Sequence, residues 1–183
     1  MLEKYLIHHC SPTLASLKTA SIFRCPFTSD EELDEQLKSW NQQFAKKGIV
    51  LFLMRKADNM ALIYLCRMAH LKADFHKDGV KEFLEQYGYT PDNAVLSIAK
   101  LKNRLEVGDS FPHEIGLFLG YPLGDVIGFI ENDGKNSKCS GCWKVYCNEC
   151  ETIKEFRKFK KCKDVYCRLW DQGRSVLQLT VAA

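Results

Sequence analysis

Apolar residues recur along this chain with two periods, and the changes from one to the other set the expected order of elements. From Ser29 onward Leu33, Leu37, Trp40 and Phe44 share one helical stripe. Asp30, Glu31 and Glu32 fill its first turn, where the positive end of the macrodipole favours carboxylates, and Gly48 stops it after Lys46 and Lys47. Ile49–Met54 and Met60–Cys66 are apolar, β-prone runs joined by Lys56–Ala57–Asp58–Asn59, which predicts a buried hairpin. Ahead of these, Tyr5–Cys10 reads as a short strand. Ser11–Pro12 then supplies an N-cap and a proline at the first helical position, opening a helix that runs to about Phe23.

Downstream, helices are expected over Ala69–His76 and Val80–Tyr87, and from Thr90–Pro91, with Ala94, Ile98, Leu101 and Leu105 on one face and Gly108 past its end. Ser110 and Pro112 start another, which stops at Gly120; Tyr121–Pro122 starts the next, with Leu123, Val126, Ile127 and Ile130 as its stripe. Trp143–Cys147 alternates like a strand. Glu149 to about Gln172 is helical, with Ile153, Phe156, Phe159 and Tyr166 as its stripe, and Ser175–Val181 is a closing strand. Strands and helices are mixed without regular alternation. The expected class is α+β, a single domain over residues 1–183, with a mixed or antiparallel sheet of about four or five strands covered by helices.

With 46% hydrophobic and 27% charged residues the composition is that of a globular protein, not of a disordered chain. The most apolar stretch, Ile115–Ile130, is broken by Gly116, Gly120, Pro122, Gly124 and Asp125, and falls short of the about 20 residues a bilayer needs. Met1–Tyr5 lacks the pattern of a secretory signal, so the expected location is cytoplasmic. Nine cysteines in such a setting read as reduced thiols, metal ligands or small hydrophobes. Net charge is +3, but Lys138–Arg168 holds nine Lys/Arg against four Asp/Glu, a local +5. A basic, Cys-rich lobe over about residues 138–183, packed on the rest, suits an acidic partner better than nucleic acid.

Several runs resemble a known family. His8–His9–Cys10–Ser11–Pro12–Thr13–Leu14, His113 through Pro122, Asp125–Val126–Ile127–Gly128–Phe129, Cys142–Trp143–Lys144–Val145–Tyr146 and Lys161–Cys162 look like domain of unknown function 3793, an uncharacterised family found mainly in anaerobic Firmicutes. The resemblance spans nearly the whole chain and carries no established activity. It implies a neighbourhood with flavodoxins, hence redox or iron-related metabolism. Cys147 and Cys150 depart from the family pattern, which weakens any metal site built on them.

Candidate chemistry gathers in five places. If Tyr5–Cys10 is a strand, His8 and Cys10 share a face, and Cys10 sits before a helix N-terminus that would lower its thiol pKa. Ser11 and Thr13 would complete an anion cradle there. The competing reading is a buried strand end with Ser11 as an ordinary cap. His113 and Glu114, at a helix start, suit a base and its orienter, against a Glu simply placed by the dipole; Leu117 rules out a zincin motif. Gly116, Gly120, Gly124 and Gly128 recur every four residues and favour close packing over a dinucleotide site. Cys139, Cys142, Cys147 and Cys150 form two C-x-x-C pairs that would suit zinc or iron–sulfur, although four residues between the pairs is very short. Haem is a further cofactor compatible with a redox role. Finally Lys154, Arg157, Lys158 and Lys161, around Phe156 and Phe159, read as a solvated face, then as a docking surface for an acidic protein such as a flavodoxin. The chemistry thus points to a small-molecule- or cofactor-handling redox protein, alternatively to a non-enzymatic adaptor, and as a second alternative to a zinc or iron–sulfur binding module built on Cys139–Cys150.

Overall fold

Leu2, Leu6, Ile7, Cys10 and Leu14 are all buried and recur at helical spacing, and the chain begins with helix α1, Leu2–Leu14. The computed structural model describes residues 2–107 and 110–182. Tyr5–Cys10 is therefore not a strand, and Ser11–Pro12 does not start a helix. Pro12 lies in the last turn of α1, where a proline's missing N–H and ring disfavour a helix by about 3 kcal/mol. Its carbonyl accepts the N–H groups of Leu17 and Lys18 at 2.9 and 3.2 Å, which closes the chain into a turn. Ser11 donates its hydroxyl back to the Ile7 carbonyl instead of capping. The segment expected to stay helical to Phe23 becomes strand β1, Ala20–Pro26.

Strand β2, Ile49–Ala57, and strand β3, Met60–Arg67, form the expected hairpin, turning at Asp58 and Asn59 with φ of 53° and 57°. Two left-handed residues give the turn a twist that matches its strands. β1 joins the other side of β3, so the antiparallel order is β1-β3-β2. Side chains alternate across this sheet. Phe23, Leu51, Ile63 and Leu65 pack with α1 and with helix α2, Asp30–Phe44. Ser29 caps α2 by accepting from the Glu32 N–H at 3.1 Å, worth about 1 kcal/mol.

Met54, Tyr64 and Cys66 point to the other face, which α3 (Met68–Phe75), α4 (Val80–Gln86), α5 (Ala94–Val107), α6 (Ile115–Phe118) and α7 (Leu123–Glu131) cover. The Gly108 stop expected after α5 lies outside the described residues. Tyr64, fully buried, donates its hydroxyl to the Phe118 carbonyl at 2.6 Å and so fixes α6 against the sheet.

Strands β4, Cys139–Ser140, and β5, Lys144–Val145, make a separate two-stranded hairpin, so Trp143–Cys147 contributes only two residues of strand. The class is α+β as expected, and among the described residues five strands form two antiparallel sheets rather than one. Helix α8, Glu149–Asp171, returns to α1 through Tyr166, Cys167, Leu169 and Trp170, yet only Thr152 and Phe159 of its 23 residues are buried. Ser175–Val181, expected as a strand, carries the short helix α9, Val176–Leu179. Ser175 and Gln178 form a capping box there, and Val176 and Leu179, three apart, turn into the core.

Arg67, only 2% exposed at the end of β3, ties these parts together. Its Nε donates to the Thr13 carbonyl at 2.6 Å; its Nη2 donates to Leu14 at 2.7 Å and to Val181 at 2.8 Å, and its Nη1 to Lys47 at 3.4 Å. A cation on the last carbonyls of α1 satisfies both their lone pairs and the negative end of the helix dipole. Replacing Arg67 with Met removes the charged donor from all four carbonyls and leaves Thr13 and Leu14 only the N–H groups of Ser16 at 3.1 Å and Val181 at 3.0 Å. Urea denaturation should show a loss of about 3–5 kcal/mol. Arg67→Lys should recover only part of it, because an ammonium cannot reproduce the planar fork. A loss below about 1 kcal/mol for Arg67→Met would contradict this assignment.

Candidate functional site

The loop before α6, helix α7 and the β4–β5 hairpin enclose a cavity of about 310 Å³. Its walls are aromatic. The His113 imidazole lies 5.0 Å from the Phe129 ring and 5.7 Å from Phe111, while Tyr121 stacks on Trp143 at 4.5 Å. Cys142 and Lys144, from the hairpin, also line it. Phe111, His113 and Cys142 are exposed, so the cavity opens to solvent.

One buried carboxylate positions the hairpin wall. Asp125, 1% exposed in the first turn of α7, accepts the backbone N–H groups of Tyr146 at 2.7 Å and Cys147 at 2.9 Å on Oδ1. The Cys147 thiol donates to the same oxygen at 3.2 Å, and Trp143 Nε1 donates to Oδ2 at 2.8 Å. The helix dipole favours an anion at this position. Hydrogen bonds to a charged acceptor contribute about 1.5–3 kcal/mol each, so this carboxylate, and not the two short strands, holds the hairpin down. Gly124 and Gly128 let it approach: a Cβ would stand 2.9 Å from the Cys147 sulfur at Gly124 and 2.5 Å from the Tyr146 ring at Gly128. Lys144 donates to the Gly134 carbonyl, and the Tyr146 hydroxyl to Lys135 at 2.8 Å, which closes the far end.

The residues singled out by sequence fall in separate places. In a helix, residues two apart point about 200° from each other, so His8 and Cys10 do not share a face. Cys10, on the buried side of α1, lies wholly in the core, and burial pushes its thiol pKa up, against the thiolate expected from a helix N-terminus. His8 faces α8, with Nδ1 3.7 Å from the Cys167 sulfur and its ring against Trp170. Its neighbour His9 stacks on Phe23 at 5.8 Å. Ser11 and Thr13 are buried, and Thr13 shares a 2.9 Å hydrogen bond with Ser21, so neither is open to an anion.

His113 lines the cavity, but Glu114 beside it does not. Glu114, 1% exposed, accepts from the Tyr89 hydroxyl at 2.7 Å and pairs with Arg104 Nε at 2.8 Å. It anchors the start of α6 to α5, and with burial it pushes the Tyr89 hydroxyl pKa well up.

The C-x-x-C pairs do not assemble either. Cys139 lies opposite Val145 in the hairpin, Cys142 is at the cavity, Cys147 donates to Asp125, and Cys150 is exposed in the first turn of α8. Among the described residues no three His, Cys, Asp or Glu side chains come together as metal ligands. Lys154, Arg157, Lys158 and Lys161 are exposed on α8, with Lys154 paired to Glu151 at 2.7 Å.

Asp125, Tyr121 and Trp143 are the organising residues that motif reasoning passed over. A carboxylate inside the most apolar stretch of the chain was the available sign, since a buried charge demands several donors.

The family model described as protein of unknown function (DUF3793) matches residues 6–180. No curated protein and no solved structure matches the chain. No helix among the described residues is long and apolar enough to cross a membrane.

Burial raises the Cys142 thiol pKa, and the Lys18 charge only partly opposes it. The reactive thiolate is therefore scarce at neutral pH and forms as pH rises through the raised value. Iodoacetamide labelling of Cys142, resolved by peptide mass spectrometry, should reach half its maximal rate above the ordinary thiol value of about 8.5. Lys18→Met should move the profile further up. A plateau already reached below pH 8 would contradict the environment described.

Proposed function

The chain belongs to the family of proteins of unknown function DUF3793, and we propose that this member binds a small, flat, largely apolar molecule in the aromatic cavity beneath the Cys142–Lys144 hairpin. The observation that carries the reading is the cavity itself: about 310 Å³, walled by Tyr121, Phe129, Trp143 and His113, and open at one side. Small-molecule sites begin at about 300 Å³ and combine apolar walls with a few polar groups. Here those groups are the His113 imidazole and the Lys144 ammonium, the latter 5.9 Å from the centre of the Phe129 ring. Asp125 already has four donors, so it acts as scaffold and not as a contact for ligand. The raised thiol pKa values favour binding over thiolate chemistry as the role of this site.

1-Naphthol, a neutral two-ring probe, should bind with a Kd of tens of micromolar, about −6 kcal/mol, by isothermal titration calorimetry. Phe129→Ala should weaken it about tenfold by removing one face of the cavity. No heat at millimolar probe, or an unchanged Kd in Phe129→Ala, refutes the reading.

Docking of an acidic protein is the second reading, and the segment from Arg157 to Lys163 favours it. Arg157, Lys158, Lys160, Lys161 and Lys163 are all exposed there, with no acidic residue between them. A flavodoxin serves as acidic probe. Its association should fall at least tenfold between 50 and 500 mM salt, and Lys154, Arg157, Lys158 and Lys161 changed together to Gln should abolish it. Binding that ignores both changes excludes this surface.

A further inference from the structure

A polar cleft of about 170 Å³ adjoins the aromatic cavity, and Trp143 lines both. Lys18, Ser16 and His70 are among the hydrogen-bonding side chains that line it. The Ser16 hydroxyl lies 3.3 Å from His70 Nε2, on a backbone held at φ 62°. The Lys18 amine stands 5.2 Å from the centre of the Tyr121 ring, the same ring that walls the cavity. Among the described residues no carboxylate forms a salt bridge with Lys18. Burial lowers its pKa, with the Cys142 and Cys10 thiols acting in the opposite direction. An anion beside it would restore the charged form.

The cleft also holds two acidic groups and a second lysine. Asp74 is engaged by the Thr19 hydroxyl and by Lys77 at 2.6 Å, so that pair cancels itself. Glu155 is exposed on α8. Among the described residues Lys18 thus forms no salt bridge in the cleft, with Glu155 the one carboxylate there that no lysine engages. Beside it the Ser16 hydroxyl is free to donate while it accepts from His70 Nε2.

We infer that this cleft is a second subsite, which takes the anionic end group of a ligand whose ring occupies the aromatic cavity. The inference rests on the reading of the cavity as a binding site and adds the ligand's class: a planar apolar ring carrying a short arm that ends in a negative charge. Lys18 supplies the charge, the Ser16 hydroxyl donates a hydrogen bond while it accepts from His70 Nε2, and Tyr121 and Trp143 form the partition the arm passes.

A length series tests it without assuming the reach of the arm. 1-Naphthoate, 1-naphthylacetate, 3-(1-naphthyl)propanoate and 4-(1-naphthyl)butanoate are titrated into the full chain, each beside its own neutral primary amide. At one length or more the acid should bind about tenfold tighter than its amide. Lys18→Met should erase that advantage, Lys18→Arg should keep most of it, and Glu155→Gln should enlarge it about two- to threefold. Lys18→Arg retains the charge and so guards against misreading a folding defect in Lys18→Met. Acids and amides binding alike at every length, or an advantage that survives Lys18→Met, overturns the subsite while leaving the cavity in place. Failure of acids and amides alike to bind refutes the cavity reading and the subsite with it.

Discussion

A buried guanidinium must be surrounded by oxygen, and that requirement at Arg67 fixes the rest of the fold. The four carbonyls it engages belong to Thr13 and Leu14 at the end of α1, Lys47 ahead of β2, and Val181 near the carboxy terminus. Removing them from reach together would leave a charge in apolar surroundings at a cost of several kcal/mol. Helix α1 is therefore held on the sheet at its C-terminal end, and the terminal segment is held on α1. Lys47 reinforces the same junction by donating to the Thr180 carbonyl at 2.8 Å. Once α1 is placed, α8 has a surface to lie against, and the first face of the sheet is covered.

The second face depends on two buried carboxylates that divide the work. Glu114 draws Tyr89 and Arg104 to the start of α6, while Asp125 draws four donors from the hairpin to α7. A two-stranded hairpin is at best marginal alone, and this one has two residues in each strand. Its small cluster of Trp143, Val145 and Phe159 adds apolar contact, but Asp125 decides where it sits. The cavity is a by-product of that attachment: aromatic rings from both sides meet around a space that neither side fills.

How much of this was legible in the sequence follows from how local each determinant is. Helix α2 announces itself through Ser29, three acidic residues and an unbroken stripe, all within one segment. The β2–β3 hairpin does so through two apolar runs and Asp58–Asn59. Ser11–Pro12 is different, since a hydroxyl and a proline suit the first turn of a helix or, as here, its last. What decides between them is Arg67, more than fifty residues away, and with that choice goes the side on which His8 and Cys10 point. Likewise Ser175–Val181 alternates like a strand, while the pairing of Ser175 with Gln178 makes it a helix. At the site, His113 and Cys142 were visible as reactive types, whereas Asp125 was visible only as an interruption of an apolar run. Its role is set by Trp143, Tyr146 and Cys147, which no spacing rule connects to it.

Helix α8 supports the cavity from behind, through Trp143. Its attachments are mostly half-buried, and segments of that kind open at a lower free energy than the core sheet. Phe156 of α8 presses edge-on against Trp143 at 4.6 Å. The indole is thus held twice, by the Phe156 ring from α8 and by Asp125 at its nitrogen. The set of one cavity wall therefore depends on a helix that lends the cavity no lining residue of its own.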